Sequence, residues 1–193
     1  MPSSGCRNPK SDLMHFIILD LEATCWQGNA MDRNQEIIEL GAYRVNGYGE
    51  WIDHFQTFVR PVMHPRLSSY CMDLTGISQE QVSKSKPFDQ AFLRFEEWLH
   101  DIDGTSVLCT WGARDMEIIR EECERHDQDA SALPMAINLK AQYARIHNLP
   151  REVGLMKALE FIEMEFEGSH HRAIDDAFNT TKLFLHYLDR WQY

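Results

Sequence analysis

The sequence predicts a single α/β domain in which a mixed β-sheet is flanked by helices. Apolar runs in the first third of the chain indicate strands joined by short turns, as in an antiparallel meander. The remainder alternates helical spacing of apolar residues with one further short strand. A chain of 193 residues is long enough for one such domain with a sizeable core and too short for two ordinary ones.

Three strands are expected before the first helix. Residues 15–21 form an apolar run typical of a buried strand, and residues 36–45 and 51–59 predict the second and third strands. The glycine-containing pairs at 46–47 and 48–49 favour a tight turn between the last two. These strands would form an antiparallel meander.

Helices dominate the rest of the chain. Ser78, with Gln81 three residues further on, predicts a capping box at the start of a short helix. From Pro87 the apolar side chains fall on one helix face. The expected elements are helices over residues 66–75, 78–82, 87–99, 115–126, 138–147, 155–164 and 171–191, the last being the longest, with a strand over residues 105–111.

Composition limits the setting in which the protein works. No apolar run approaches the ~20 residues of a membrane span. Residues 1–13 lack the apolar core of a signal peptide and are expected to be a disordered tail ahead of a domain over residues 14–193. The five cysteines show no metal-site or paired spacing, which favours reduced thiols in a cytoplasmic protein.

The net charge of −11 argues against a broad, non-specific grip on duplex nucleic acid. It remains compatible with an enzyme that holds only the end of a strand. A simple acidic, soluble domain would have the same composition, so charge alone does not separate these alternatives.

An Asp-x-Glu pair, Asp20 and Glu22, lies at the end of the first predicted strand. Because side chains alternate along a strand, both carboxylates point to one face and Leu19 and Leu21 to the other. Two neighbouring carboxylates at the end of a core strand need a cation between them. The segment contains no Lys or Arg, which favours a metal ion over a structural ion pair.

Asp115 follows the short strand at residues 105–111, where a helix is expected to begin. Taken alone, this position favours a helix N-cap, for which Asp is among the best residues. A role for Asp115 in a site depends on the further acidic residue and histidine that the last helix supplies.

The last helix begins with a His doublet, residues 170 and 171, and contains an Asp doublet, so that a His-x4-Asp spacing occurs twice. Asp176 falls on the apolar stripe of this helix, whereas Asp175 shares a polar face with Asn179 and other polar residues. We therefore assign His171 and Asp176 to the site and regard His170 and Asp175 as flanking, a choice that depends on helix register.

Four carboxylates and one histidine are thus expected to converge. This set suits two divalent metal ions that act on a phosphodiester. Carboxylate oxygens without thiolates favour Mg²⁺ or Mn²⁺ over zinc. His171, with an ordinary pKa of about 6.5, suits a base that accepts a proton from the attacking water near neutral pH.

The order and spacing of residues 20–24, Asp115 and residues 171–177 resemble the DEDDh 3′→5′ exonucleases. The resemblance covers roughly residues 15–191 and implies a ribonuclease-H-like fold. Residues 65–77 and 137–140 resemble the branch that contains the histone-mRNA and small-RNA 3′ exonucleases and their bacterial relatives.

The resemblance also implies roles for individual residues. Asp20 would contact both metal ions, Glu22 and Asp176 one of them, and Asp115 the other, with His171 as the general base. Contacts with the terminal nucleotide would come from residues beside the carboxylates and from the loop after the first helix, with Trp111 as a stacking candidate and Lys140 as a phosphate contact: Ala23, Thr24, Leu74, Thr75, Ile77, Trp111 and Lys140. For Leu74, Thr75 and Ile77 a helix-stop turn with core side chains is equally compatible, and Trp111 also suits the core.

The function that we expect is hydrolysis of single-stranded RNA or DNA 3′ ends, with RNA preferred, releasing nucleoside 5′-monophosphates. Two alternatives stay open: a non-catalytic RNA-binding or interaction module of the same fold, and a hydrolase that trims short oligoribonucleotides. No metal ligand or base is lost from the pattern, which argues against the first alternative. The sequence predicts no membrane association and identifies no protein partner.

Overall fold

The computed structural model describes residues 13–28 and 34–193. The expected disordered tail lies outside these residues apart from Leu13. The described chain forms one five-stranded mixed sheet of order β3-β2-β1-β4-β5, flanked by helices. The strands are β1 Met14–Ala23, β2 Ile37–Asn46, β3 Trp51–Phe58, β4 Thr105–Thr110 and β5 Ala136–Asn138. The helices are α1 Ser69–Thr75, α2 Gln79–Lys84, α3 Phe88–His100, α4 Arg114–Arg125, α5 Leu139–Ile146, α6 Leu155–Glu160 and α7 Ala173–His186.

The pairing of the strands confirms the expected α/β fold. β1, β2 and β3 form an antiparallel meander, whereas β4 runs parallel to β1 and β5 runs parallel to β4. The capping box at the start of α2 is also present, with Ser78 and Gln81 bonding to each other's backbone. Among the helices of the described residues, none is both long and apolar enough to cross a membrane.

Several element boundaries differ from the sequence-based expectation. β5 was not predicted, because its three residues are too few to show a periodicity. α6 was predicted to reach residue 164 but ends at Glu160, and the chain takes a left-handed turn at Glu163 (φ 55°). α7 begins at Ala173 and not at residue 171, because His171 is itself left-handed (φ 65°). α7 also ends early, at His186, and a separate 3₁₀ turn follows.

The sheet divides the core into two main layers. Ile17, Leu19 and Leu21 of β1 pack on one face, against α3 and α4. Phe16 and Ile18 point to the opposite face, where they pack against α5, α6 and α7. A third, smaller cluster lies under α1 and α2, beside the ends of β1 and β2. The side of the sheet that carries Phe16 and Ile18 is therefore the side that the next even-numbered residues of β1 also face.

The start of α7 lies directly on the backbone of β2. A Cβ atom added to Gly41 would lie 2.6 Å from Cα of Ile174 and 2.5 Å from the carbonyl carbon of Ala173. Gly41 is also the partner of Asp20 in the β1–β2 ladder. The glycine thus sets how closely the first turn of α7 approaches the end of β1.

We predict that Gly41→Ala destabilises the protein by about 1–3 kcal/mol, because the added methyl group forces α7 away from the sheet. The measurement is urea unfolding followed by circular dichroism. Gly47→Ala is the matched control, since a Cβ there would lie 3.7 Å from Met14 in ordinary contact. Equal midpoints for the two variants would contradict this account of α7 packing.

Candidate active site

The end of β1 presents two carboxylates on the α7 side of the sheet. Asp20 and Glu22 continue the even-numbered row of Phe16 and Ile18, and both are half-buried. In the antiparallel ladder Asp20 pairs with Gly41, and Glu22 pairs with Glu39 of β2. The expected shared face of the Asp-x-Glu pair is therefore present.

The third site carboxylate, Asp176, lies in the first turn of α7 and is buried. Its Oδ2 accepts a hydrogen bond of 2.8 Å from the backbone N–H of His171. Carboxylate oxygens of Asp20, Glu22 and Asp176 all lie within 4.8 Å of one another. The close approach of α7 to Gly41 thus brings the helix carboxylate to the strand pair.

Asp115 joins this group from α4. The N-cap alternative for Asp115 is wrong, since the N-cap residue is Ala113 and Asp115 lies inside the first turn. β4 runs parallel to β1, so the helix after β4 starts at the same edge of the sheet as the Asp-x-Glu pair. Asp115 interacts electrostatically with Asp20 and Asp176, and Lys140 in the first turn of α5 acts on it with the opposite sign.

Burial and mutual repulsion raise the pKa of every carboxyl group in this cluster. Burial is the largest cause for all four. Repulsion from Asp115, Asp176 and Glu22 adds to it at Asp20, whose pKa is raised well above its ordinary value. The pKa of Glu22 is raised to about 8, that of Asp115 to about 7 and that of Asp176 to about 6. The negative charge of this cluster is therefore not fully balanced by positively charged side chains.

The residues present fit a divalent cation. Their ligand atoms are carboxylate oxygens, the type that Mg²⁺ and Mn²⁺ prefer. Within the described ranges, neither Asp20 nor Glu22 forms an ion pair with a Lys or Arg. Their raised pKa values show that a bound cation would remove a repulsion that no such ion pair offsets.

Both members of the His doublet lie beside Asp176. Nε2 of His170 is 3.7 Å from Oδ1 of Asp176, and the two imidazole rings have centroids 3.9 Å apart. His170 is exposed, whereas His171 is half-buried, and burial followed by the neighbouring His170 lowers the pKa of His171. Both imidazoles therefore have access to the site, and the assignment of His171 as the base stays a prediction.

The first part of the polar face that carries Asp175 is covered by the preceding segment, whereas His186 at its far end is exposed. Asn179 is completely buried, and its side chain exchanges hydrogen bonds of 2.8–3.0 Å with the backbone of Glu167. Asp175 accepts a bond of 2.9 Å from the backbone N–H of Ser169. These two residues fasten the segment that precedes the His doublet onto α7, so their role is structural.

A residue that the sequence did not reveal, Glu39 of β2, holds the start of α7. Its carboxylate is completely buried and accepts bonds of 3.0 Å from Nε and from NH2 of Arg172, and one of 3.1 Å from the backbone N–H of Ala173. Gln56 donates a fourth bond, of 2.7 Å. Because Glu39 is also the ladder partner of Glu22, it links the turn that carries His171 to β1, the strand of Asp20 and Glu22. The only feature of the sequence that could have indicated this role is the presence of an acidic residue, Glu39, inside an apolar stretch of the second strand.

The expected substrate contacts are distributed around this centre, and their roles stay predictions. The backbone N–H of Thr24 donates to the carbonyl of Glu36, and its hydroxyl accepts from the N–H of Glu36. Thr75 and Ile77 are buried in the helix-stop turn after α1, and Leu74 beside them is half-buried. Three further candidates remain: Ala23, which is buried at the end of β1, Trp111, which packs edge-on against Tyr143, and Lys140.

Comparison with known proteins gives the class of this site. The sequence profile of the exonuclease (RNase_T) family matches residues 17–184. The chain therefore belongs to this exonuclease family. The expected resemblance to DEDDh exonucleases and the ribonuclease-H-like fold are both confirmed by the comparisons.

Curated relatives are longer than this chain. Human ERI1 exoribonuclease 2 is 34% identical over 191 residues, which cover 88% of this chain and 28% of that protein. Human 3′-5′ exoribonuclease 1 is 32% identical over 184 residues, which cover 90% of this chain and 52% of that protein. The chain thus spans between about a quarter and a half of the length of these two relatives.

Solved structures match closely. The nuclease domain of 3′hExo, a DEDDh family member bound to rAMP, is 30% identical with a TM-score of 0.83, and the match covers 95% of this chain and 94% of that one. A 3′-exonuclease described in terms of 3′-end specific recognition of a histone mRNA stem-loop is 29% identical, also with a TM-score of 0.83, covering 94% of this chain and 84% of that one.

We predict that the stability of the metal-free protein falls between pH 5.5 and pH 8. The folded site binds protons with pKa values of about 6 to about 8, above the ordinary ~4 of unfolded carboxyl groups, so its stabilisation is lost as pH rises through the folded pKa values. Glu22→Gln removes one charge and should raise the melting temperature in EDTA at pH 8, and flatten the pH dependence. Added Mn²⁺ should raise the melting temperature of the wild type more than that of the variant.

Because buried histidines respond to pH in the opposite direction, the decisive quantity is the difference between wild type and Glu22→Gln at each pH. A difference that does not change between pH 5.5 and pH 8 would show that the carboxylates do not repel each other in the folded protein.

We further predict that Glu39→Gln lowers kcat by about 10–100-fold with little change in KM. This is the range typical of substitutions at residues that position a metal ligand without binding the metal. Gln retains the shape of the side chain but loses the charge that holds Arg172. The measurement is steady-state hydrolysis of a short single-stranded RNA. Gln56→Ala, which removes only the exposed fourth donor, is the control, and an equal loss in both variants would contradict the assignment to Glu39.

Proposed function

We propose that this protein is a metal-dependent 3′→5′ exoribonuclease that removes nucleoside 5′-monophosphates from single-stranded ends. The observation that carries the proposal is the convergence of Asp20, Glu22, Asp115 and Asp176 with a His doublet at one edge of the sheet. Membership of the exonuclease family supports the same reaction.

Two ions, Mg²⁺ or Mn²⁺, are proposed as cofactors. Asp20 would contact both, Glu22 and Asp176 one of them, and Asp115 the other. When bound, the ions supply positive charge to the scissile phosphate and make the attacking water more acidic. Lys140, which acts on Asp115, adds a fixed positive charge at the same edge.

His171 is proposed as the general base. A lowered pKa keeps its imidazole neutral at pH 7, which is the state that accepts a proton from water. The backbone N–H of His171 donates a hydrogen bond to Asp176, and its backbone is left-handed, which supports a position for this residue beside a proposed metal ligand. The base is thereby held by the same helix turn that supplies a metal ligand.

RNA is proposed as the preferred substrate. The two human relatives are named exoribonucleases, and one solved relative was bound to rAMP, a ribonucleotide 5′-monophosphate of the kind that the proposed reaction releases. By analogy, Thr24, the loop at residues 74–77 and Trp111 would surround the terminal nucleotide. A cytoplasmic setting is supported by the cysteines, which are free thiols throughout the described chain.

The test is digestion of matched single-stranded RNA and DNA, labelled at the 5′ end, with Mg²⁺, Mn²⁺ or EDTA. We predict a metal-dependent ladder that shortens from the 3′ end, with RNA digested faster. Asp20→Asn should abolish it, and His171→Ala should slow it by about 10²–10⁴-fold, the usual contribution of a general base.

His170→Ala is the matched control for helix register, since it removes the neighbouring imidazole and leaves His171 in place. Activity that disappears only in His170→Ala would move the base by one residue. A wild-type protein that binds metal and RNA but shortens neither strand would replace the enzyme with a non-catalytic binding module.

A further inference from the structure

A basic cavity of about 360 Å³ lies at the outer edge of the sheet, between the end of β3, the end of α2 and the face of α3. We name it the β3-edge cavity. Lys84, Lys86 and Arg94 line it together with Gln56 and Phe58, and no carboxylate is among its lining residues. In a chain with a net charge of −11, three cations around one cavity are a local excess of positive charge.

The backbone of Lys86 is held against the end of the sheet. Lys86 forms a parallel bridge with Val59, and its carbonyl accepts a bond of 2.8 Å from the N–H of Arg60. Lys84 pairs with Glu80 on α2. For Lys86 and Arg94, the described part of the chain provides no carboxylate within ion-pairing distance. The side chains of Lys86 and Arg94 therefore line the cavity without an ion-pair partner from the described chain.

The cavity lies close to the carboxylate cluster. Glu22, Glu39 and Phe58 form one row across β1, β2 and β3. Neighbouring strands are about 4.8 Å apart, so Phe58 lies about 10 Å from Glu22. The guanidinium of Arg172 lies 5.3 Å from the centre of the Phe58 ring, which places this ring between the cavity and the turn that carries His171.

Other cavities near the sheet differ in charge. The cavity at the β4–β5 edge is lined by Arg120 together with Glu117, so its charges cancel. A second cavity without carboxylates, of about 190 Å³, is lined by Arg145 and Arg190. It lies beyond the far end of α7, whose 14 residues span about 21 Å from the site. Among these three, the β3-edge cavity alone is both basic and close to the site.

We propose that the β3-edge cavity binds a phosphate of the substrate strand upstream of the scissile bond, through Lys86 and Arg94. The proposal rests on the exonuclease function above. A stacked strand advances about 3.4 Å per nucleotide, so ~10 Å corresponds to a phosphate about three nucleotides from the cleaved one. The cavity would then set how strongly the enzyme holds strands of four or more nucleotides and would not affect a dinucleotide.

The test compares wild type with Lys86→Gln/Arg94→Gln on single-stranded RNAs of two, four and eight nucleotides. KM for the octamer should rise about tenfold, as expected when a charged hydrogen bond to the substrate is removed, with kcat unchanged and with dinucleotide hydrolysis unchanged. The salt dependence of kcat/KM should become shallower by about 0.7 for each phosphate that the variant no longer binds. Arg145→Gln/Arg190→Gln removes the same charge from the distant cavity and should match the wild type.

Single neutral methylphosphonate linkages locate the bound phosphate. A neutral linkage about three positions from the 3′ end should raise KM for the wild type and leave that of Lys86→Gln/Arg94→Gln unchanged. Equal KM values for this variant and the distant control at every length would overturn the proposal and assign the cavity to another anionic partner, such as an acidic protein segment. Failure of the exonuclease function itself would appear separately, as a wild type that shortens no strand.

Discussion

The first turn of α7 lies against the bare backbone of β2, and the site depends on this contact. A side chain at Gly41 would occupy the space of the Ala173–Ile174 backbone. The contact alone would leave α7 free to slide along the strand, and Glu39 removes that freedom by binding Arg172 and the first N–H of the helix. Steric fit and a buried ion pair thus fix the distance and the register of the helix that carries Asp176.

A buried acid, Glu39, and a half-buried one, Glu22, lie side by side on this face of the sheet. Glu39 is compensated from within the chain, by the guanidinium of Arg172 and further donors from Ala173 and Gln56. Its ladder partner Glu22 has no such pairing, and its pKa is raised to about 8. The comparison separates a structural carboxylate from a candidate metal ligand on physical grounds, since only the uncompensated one gains from an external cation.

Local patterns predicted the α/β class and three of the four acids, and the family resemblance added the ribonuclease-H-like fold. A continuous apolar run indicated the first strand, the alternation of side chains along a strand placed Asp20 and Glu22 on one face, and the apolar stripe of the last helix placed Asp176 inside. Non-local geometry was beyond the reach of these patterns. The role of Glu39 depends on pairing with a turn more than 130 residues away, and Asn179 is buried because the segment before the His doublet folds back over it. β5 was missed because only its parallel pairing with β4 identifies it.

The distribution of charge is compatible with the proposed action of this acidic chain on an acidic polymer. The carboxylates that repel a phosphate are gathered near the carboxyl ends of the central strands β1 and β4, where a bound cation would reverse the sign of the local field. Uncompensated Lys and Arg side chains lie two strands away, at the β3 edge. For the proposed exonuclease, a bound cation and these side chains would attract the strand, whereas the net charge of −11 disfavours a broad grip on nucleic acid. Such an arrangement favours the end of a flexible single strand over a duplex, because a strand end needs no contact beyond the carboxylate cluster and the β3-edge cavity.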